Sequence, residues 1–349
     1  MNSSETIAKN ILYKINKAEK ILIIASKPID CDSLGTALTI DWWLKKIGKK
    51  EIFIYTFAYI PDNFRTFHSL ERVVQNQMSK VDFKFFDLII LADGNSWRQF
   101  LTNDYNKYLS EIDKNKVVNI DHHEQGELNE ILADSSLRVL DSCTSKVFYD
   151  FFIEPSGVVL DKEVSTWMYL ALIGDTGTFS FGIYPKTFSF ADLLINNKVD
   201  HIKAVDFDIT KNSMDFLVWA IKHTDYYPEI QSTIFLIDDE KNKEIINKFG
   251  KNWDKDDIDR YYKSVFMRMV RDFPYGIILE ARDDNTKTEV SWRTKNYGTK
   301  IEIMKVLQKA GFKAGGHRHA GGGMGDFPIV EAKNRFITEI KRVIKELSD

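Results

Sequence analysis

A chain of 349 residues with 44% apolar and 28% charged residues has material for two domains, each with its own core, and shows no sign of general disorder. Its formal net charge of -3 argues against a broad basic surface for long duplex nucleic acid, while leaving room for a local basic pocket around a short anion. The longest apolar runs, such as residues 21–25, are far too short to span a bilayer, and only Cys31 and Cys143 occur, so neither a membrane span nor a disulfide framework is expected.

Ile7, Ile11 and Ile15 recur at helical spacing with charges between them, which predicts an amphipathic N-terminal helix rather than a secretion signal and a cytoplasmic location. Short stretches rich in Ile, Val and Phe predict strands at 20–26, 51–56, 86–92 and 116–121. Leu34, Leu38 and Trp42 give residues 33–46 a helical period that Gly48 stops. This alternation predicts an α/β fold whose N-terminal part is a Rossmann-like, mostly parallel sheet flanked by helices. Residues 163–173 read as a buried helix and 187–196 as another. A helix near 213–222 lies between polar stretches, and the strand pattern restarts at 232–237, 275–281 and 288–293 in a smaller C-terminal α/β domain. The expected division of this bilobal chain is 1–205, a helical linker at 206–230, and 231–349. Residues 242–272 are charged and predict helices with solvated faces.

In parallel sheets ligands sit beyond the carboxyl ends of the strands, so the polar residues there matter most. Asp30-Cys31-Asp32 follows the first strand; such alternating carboxylates suit two hard cations, although they also make an ordinary turn and helix cap. Asp93 ends the strand at 86–92. Asp121-His122-His123 ends the next, and can offer a metal ligand, a group facing substrate, and a carboxylate that orients a ring. Gly174-Asp175-Thr176-Gly177 closes the buried helix, where a carboxylate opposes the helix dipole and a cation would compensate it. His68, His201 and His223 have no such context and read as surface or core residues.

Each cluster is weak alone, but their order and spacing resemble the four motifs of the DHH phosphoesterase family. That family includes single-strand exonucleases, cyclic dinucleotide phosphodiesterases, nano-RNase/pAp phosphatases and family II pyrophosphatases. The C-terminal half agrees: residues 314–323, AGGHRHAGGG, resemble the family's GGGH-containing loop, and Val290-Ser291-Trp292-Arg293 resembles a strand ending in a substrate-binding arginine. Residues 291–320 carry seven Lys or Arg against a single acid, Glu302, which is the local basic pocket.

The resemblance implies two Mn²⁺ ions, with Mg²⁺ or Co²⁺ as substitutes. Asp93 and Asp175 would touch both ions, Asp32 and His122 would complete one shell, and Asp30 would serve the other. Asp121 would orient a ring, and His123 would face the scissile phosphate while a metal-activated hydroxide attacks. Arg293, Gly315, Gly316, His317 and His319 would hold a terminal phosphate. Trp292 or Tyr297 could stack on a base, with a core role the simpler one. Ser26 stands where the family usually has a histidine ligand, which implies a weaker site for one ion, and Cys143 and Lys146 replace the family's more common Ser and Glu.

Size, two domains and the absence of an expected membrane segment point to the nano-RNase/pAp phosphatase branch, with short RNA or small nucleotides as substrates, no membrane, no long duplex, and a homodimer permitted. Two alternatives stay open: a phosphodiesterase for cyclic di-AMP or pApA, and a nucleotide-binding sensor weakened by Ser26. The pyrophosphatase branch, which lacks the GGGH-type loop, is disfavoured.

Overall fold

The computed structural model describes residues 3–60, 64, 69–101, 105–123, 126–199, 201, 210–253, 261–295 and 300–347. The chain forms two compact units, Met1–Phe207 and Asp208–Asp349.

The first unit is built on six strands: β1 (Lys20–Ala25), β2 (Glu51–Thr56), β3 (Val73–Gln75), β4 (Leu88–Ala92), β5 (Val117–Asp121) and β6 (Ser136–Arg138). Their order is β3-β2-β1-β4-β5-β6 and every pairing is parallel. Helices cover both faces, which is why β4 and β5 are buried at every position and read as unbroken apolar runs. The strand order reverses between β1 and β4, so a crevice opens outside their carboxyl ends. All four strands read from the sequence are present; β3 and β6, three residues each, are too short to show a pattern.

The helices of this unit include α1 (Ser4–Lys17), α2 (Cys31–Lys46), α3 (Thr144–Phe148), α4 (Lys162–Asp175) and α5 (Thr187–Asn196). α2 and α4 lie against each other with almost no gap. A Cβ on Gly35 would stand 2.7 Å from the Trp167 carbonyl oxygen, and one on Gly174 would stand 2.6 Å from Cys31 Cβ. The two glycines therefore draw the start of α2 and the end of α4 together, and with them Asp32 and Asp175.

The second unit holds β7 (Thr224–Tyr227), β8 (Ser232–Ile237), β9 (Tyr275–Arg282), β10 (Lys287–Thr294), β11 (Lys313–His317) and β12 (Ala320–Gly325), in the order β11-β12-β10-β9-β8-β7. β8 and β9 pair parallel and the remaining pairs are antiparallel. One face packs Ile277, Leu279, Val290 and Trp292 against residues of α9 (Ile303–Lys309) and α10 (Ile329–Glu346). The other packs Phe235, Ile237 and Ile278 against α6 (Lys211–Lys222), α7 (Asp239–Phe249), the turn Tyr262–Phe266 and α8 (Met267–Met269).

Two details differ from the sequence reading. The segment 206–230 contains α6 and β7, and both join the layers of the second unit. The glycine-rich stretch expected as a loop is the β11–β12 hairpin. Its glycines serve close packing: a Cβ on Gly321 would fall 2.2 Å from the Trp292 ring, and one on Gly323 2.7 Å from Ala314 Cα. Trp292 is fully buried beneath that hairpin and has no face left for a base. Tyr297, His68 and 254–260 lie outside the described residues.

Gly35→Ala tests the close approach of α2 and α4. Its methyl meets a backbone oxygen that no side-chain rotation can clear, so stability should fall by about 1–3 kcal/mol. Denaturant unfolding checks this, and an unchanged midpoint would contradict the packing described.

Candidate active site

The crevice between β1 and β4 collects the acidic clusters. Past β1, the Ser26 amide donates to the Ala92 carbonyl (3.3 Å), tying the segment to the end of β4. Ser26 is buried there, and its Cβ lies 3.3 Å from where a Cβ on Gly94 would be. Asp30 caps α2, its Oδ1 accepting from the Ser33 amide at 2.8 Å, and it is exposed at the lip of the site. Asp32, two residues on within the first turn of α2, is wholly buried. Its carboxylate sits at the start of α3, accepting from the Thr144 amide (2.6 Å), the Ser145 amide (3.2 Å) and the Thr36 hydroxyl (2.9 Å). Unsatisfied amides at a helix start are a natural seat for an anion.

Asp93 leaves β4 in the left-handed region, φ +67°, which Asp tolerates better than most residues. Its amide donates to the Ile120 carbonyl (3.0 Å) and its Oδ1 accepts from the Thr144 hydroxyl (2.8 Å). At the end of β5, the His122 ring has one nitrogen against the Asp141 carbonyl at 2.9 Å. A carbonyl only accepts, so Nδ1 carries the proton and Nε2 is turned toward the carboxylates. That Nε2 is 2.9 Å from Asp175 Oδ2 and 3.8 Å from both Asp32 Oδ2 and Asp93 Oδ1. His123 donates through Nδ1 to Asp121 Oδ1 at 2.6 Å, so Asp121 fixes the His123 ring.

Ligand atoms of Asp32, His122 and Asp175 lie within 4.8 Å of one another, and so do those of Asp93, His122 and His123. This set of oxygens and one shared imidazole fits divalent cations. Asp30 is in neither group, and His123, which the family resemblance had facing the substrate, is in the second.

The electrostatics agree with a cation site. Burial, followed by the charges of Asp32, Asp30 and Asp175, pushes the Asp93 carboxyl well above its ordinary range. Burial and the Asp32 charge push Asp175 up to about 7. Burial pulls His122 down, but Asp175, Asp32 and Asp93 together hold it well above its usual value. Asp121 goes the other way: burial opposes its charge, yet the His123 and His122 rings hold it below the ordinary range.

Asp141, Thr144 and Ser145 escaped the sequence reading. Lys146 is buried and pairs with Asp141 (2.9 Å) and Asp150 (2.6 Å), fixing the segment whose carbonyl accepts the hydrogen bond from His122 Nδ1. The Cys143 thiol is buried and pushed well above its usual value, so it is not a thiolate nucleophile.

In the second unit, Arg293 lies on β10 between Gly276 of β9 and Ala320 of β12, its Nη1 donating to the Trp292 carbonyl at 2.8 Å. His319, in the β11–β12 turn, accepts the Thr294 amide on its carbonyl (2.9 Å) and stands 3.4 Å from the Thr294 hydroxyl through Nδ1. Gly315 and Gly316 are on β11, Gly316 at φ +134°; the His317 side chain is outside the described part.

Residues 20–172 match the family described as the DHH family, N-terminal domain. That stretch is a DHH-family N-terminal domain. The matched stretch contains Asp30, Asp32, Asp93 and the Asp121-His122-His123 motif, and ends just before Asp175. DHH-family members are phosphate-ester hydrolases. The fold is similar to that of an exopolyphosphatase-related protein from Bacteroides fragilis, with 16% identity over 98% of each chain and a TM-score of 0.77. A putative family II inorganic pyrophosphatase from Methanococcus jannaschii is 14% identical over 92% of this chain and 98% of that one, with a TM-score of 0.45. The exonuclease RecJ bound to manganese is 12% identical over 98% and 94%, with a TM-score of 0.43. No protein of curated function matches the chain by sequence. Among the described residues, no helix is long and apolar enough to cross a membrane.

Protons and a cation compete for the DHH-family cluster. With Asp175 near 7 and Asp93 and His122 raised, the metal-free site holds protons at neutral pH that a divalent ion must displace. Mn²⁺ affinity should therefore weaken as pH falls from 8 to 6, with proton release visible by calorimetry in buffers of different ionisation enthalpy. Affinity independent of pH across that window would contradict binding at these residues.

Proposed function

We propose that this DHH-family chain is a Mn²⁺-dependent phosphoesterase that releases mononucleotides from short oligoribonucleotides and takes small nucleotides such as pAp. The observation that carries the reading is the convergence of Asp32, Asp93, His122 and Asp175 at the reversal point of the parallel sheet. When bound, divalent ions supply Lewis acidity and bring the pKa of water from 15.7 down to roughly 7. Imidazole and carboxylate together suit Mn²⁺, with Mg²⁺ and Co²⁺ as substitutes.

The chain's own groups then have distinct tasks. Asp32, locked by the amides of α3, and His122, locked by the Asp141 carbonyl, are aimed before any ligand arrives. Asp121 holds His123 through Nδ1, which leaves Nε2 to stabilise charge on a phosphate oxygen or to deliver a proton to the leaving oxygen. In the second unit, Arg293 supplies countercharge, and His319 and the Gly315 and Gly316 amides supply hydrogen-bond donors for a terminal phosphate. A local basic site in a chain of net charge -3 favours short substrates over long duplex.

A turnover assay with Mn²⁺ over pAp, pApA, cyclic di-AMP, RNA of about two to five residues and long duplex RNA tests the reading. Short RNA and pAp should turn over and the duplex should not. Duplex degraded as fast as a dinucleotide would refute the substrate class, and cyclic di-AMP as the best substrate would move the chain to the cyclic dinucleotide branch.

Two substitutions separate the roles. Asp93→Asn should abolish turnover at every substrate concentration. Arg293→Ala should chiefly raise KM, because a terminal phosphate is held equally in ground and transition states. The same loss of kcat at unchanged KM in both variants would contradict that division.

A further inference from the structure

Arg268 lies in the charged stretch 242–272 that reads from sequence as helices with solvated faces. The structure places it elsewhere. Its neighbour Met267 is almost completely buried, and α8 is seated directly on β9: a Cβ on Gly276 would fall 2.7 Å from Met267 Cβ and 2.9 Å from the Met267 carbonyl oxygen. Gly276 is the register partner of Arg293 on one side, and Ala320, next to His319, is its partner on the other. α8, Arg293 and the hairpin turn thus meet at one end of the sheet, and Arg268 is half-buried there.

Electrostatics place the same three side chains in one field. Arg268 is pushed down to about 10, first by burial and then by Arg293. His319 is held below its ordinary value by burial, by Arg318 and by Arg268. At neutral pH both guanidiniums remain charged, since about 10 is still three units above 7. Cations that repel one another in a partly desolvated place gain more from a doubly charged anion than from a singly charged one. A terminal phosphate monoester carries close to two charges at neutral pH, and an internal phosphodiester carries one.

We propose that Arg268 joins Arg293 and His319 in a single anion site and makes that site selective for a dianionic terminal phosphate over an internal phosphodiester. This rests on the reading of the chain as a phosphoesterase of short nucleotides, and it adds a specificity-determining residue to that reading. Arg268 is the second guanidinium that the charge of a terminal phosphate calls for.

The test uses the full chain and two probes, a 5′-phosphorylated RNA dinucleotide and the same dinucleotide without the phosphate. Arg268→Gln should raise KM for the phosphorylated probe about tenfold, as expected for loss of one charge-assisted hydrogen bond, with kcat unchanged and KM for the other probe within about twofold. Arg268→Lys should keep part of the preference. Calorimetric titration of both probes into metal-free protein reads the anion site without turnover. If the unmodified chain cleaves neither probe yet binds the phosphorylated one more tightly through Arg268, the functional reading fails and the anion site stands. Equal effects of Arg268→Gln on both probes, or no effect on either, would overturn the proposal and leave Arg268 a packing residue. Should Arg268→Gln not fold, Arg268→Lys decides: reduced discrimination supports the site, and discrimination equal to that of the unmodified chain overturns it.

Discussion

Three carboxylates, those of Asp32, Asp93 and Asp175, are crowded around one imidazole at the carboxyl ends of β1 and β4 and the end of α4, and the charge of Asp30 at the lip adds to theirs. Like charges at such separations in a partly buried place cannot all stay ionised without a compensating cation. Much of the local architecture follows from that constraint. The reversal of strand order opens the crevice, Gly35 and Gly174 bring α2 and α4 into contact, and Asp93 adopts a left-handed backbone as it leaves its strand. Where no cation is bound, protons take its place on Asp93, Asp175 and His122.

Around the carboxylates lies a set of neutral donors and fixed rings that sets geometry rather than charge. The start of α3 gives two amides to Asp32 and one hydroxyl to Asp93, so a single short helix aligns both. The buried Lys146 braces Asp141, and the Asp141 carbonyl orients His122. Asp121 does for His123 what the Asp141 carbonyl does for His122, but with a carboxylate. Lys146, which stands where the resemblance implies a glutamate, is thus accounted for by its ion pairs to Asp141 and Asp150 in the same segment.

Much of this was legible in the sequence, for identifiable reasons. β1, β4 and β5 are covered on both faces, so their apolar runs stand out, and the acids that end them mark the crevice. Asp32, Asp93, His122 and Asp175 could be singled out because each follows a strong periodic element. Asp141, Thr144 and Ser145 could not, because they act through one carbonyl, one hydroxyl and two amides, and backbone groups leave no trace in residue identity. The hairpin β11–β12 read as a loop because glycine carries no strand signal; the cause is Trp292, whose ring fills the space a side chain would need. Arg268 was hidden by composition: in a charged stretch nothing distinguishes an arginine whose neighbour is anchored in the core.

The central claim is that the carboxylates and His122 form a two-ion centre, and locating the ions tests it most directly. Anomalous diffraction at the manganese edge from crystals grown with Mn²⁺ should show two peaks about 3.5–4 Å apart, bounded by Asp32, Asp93, His122 and Asp175. One full peak and one weak peak would agree with Ser26 in place of an imidazole ligand. No peak at these residues, or manganese bound only elsewhere on the chain, would contradict the account.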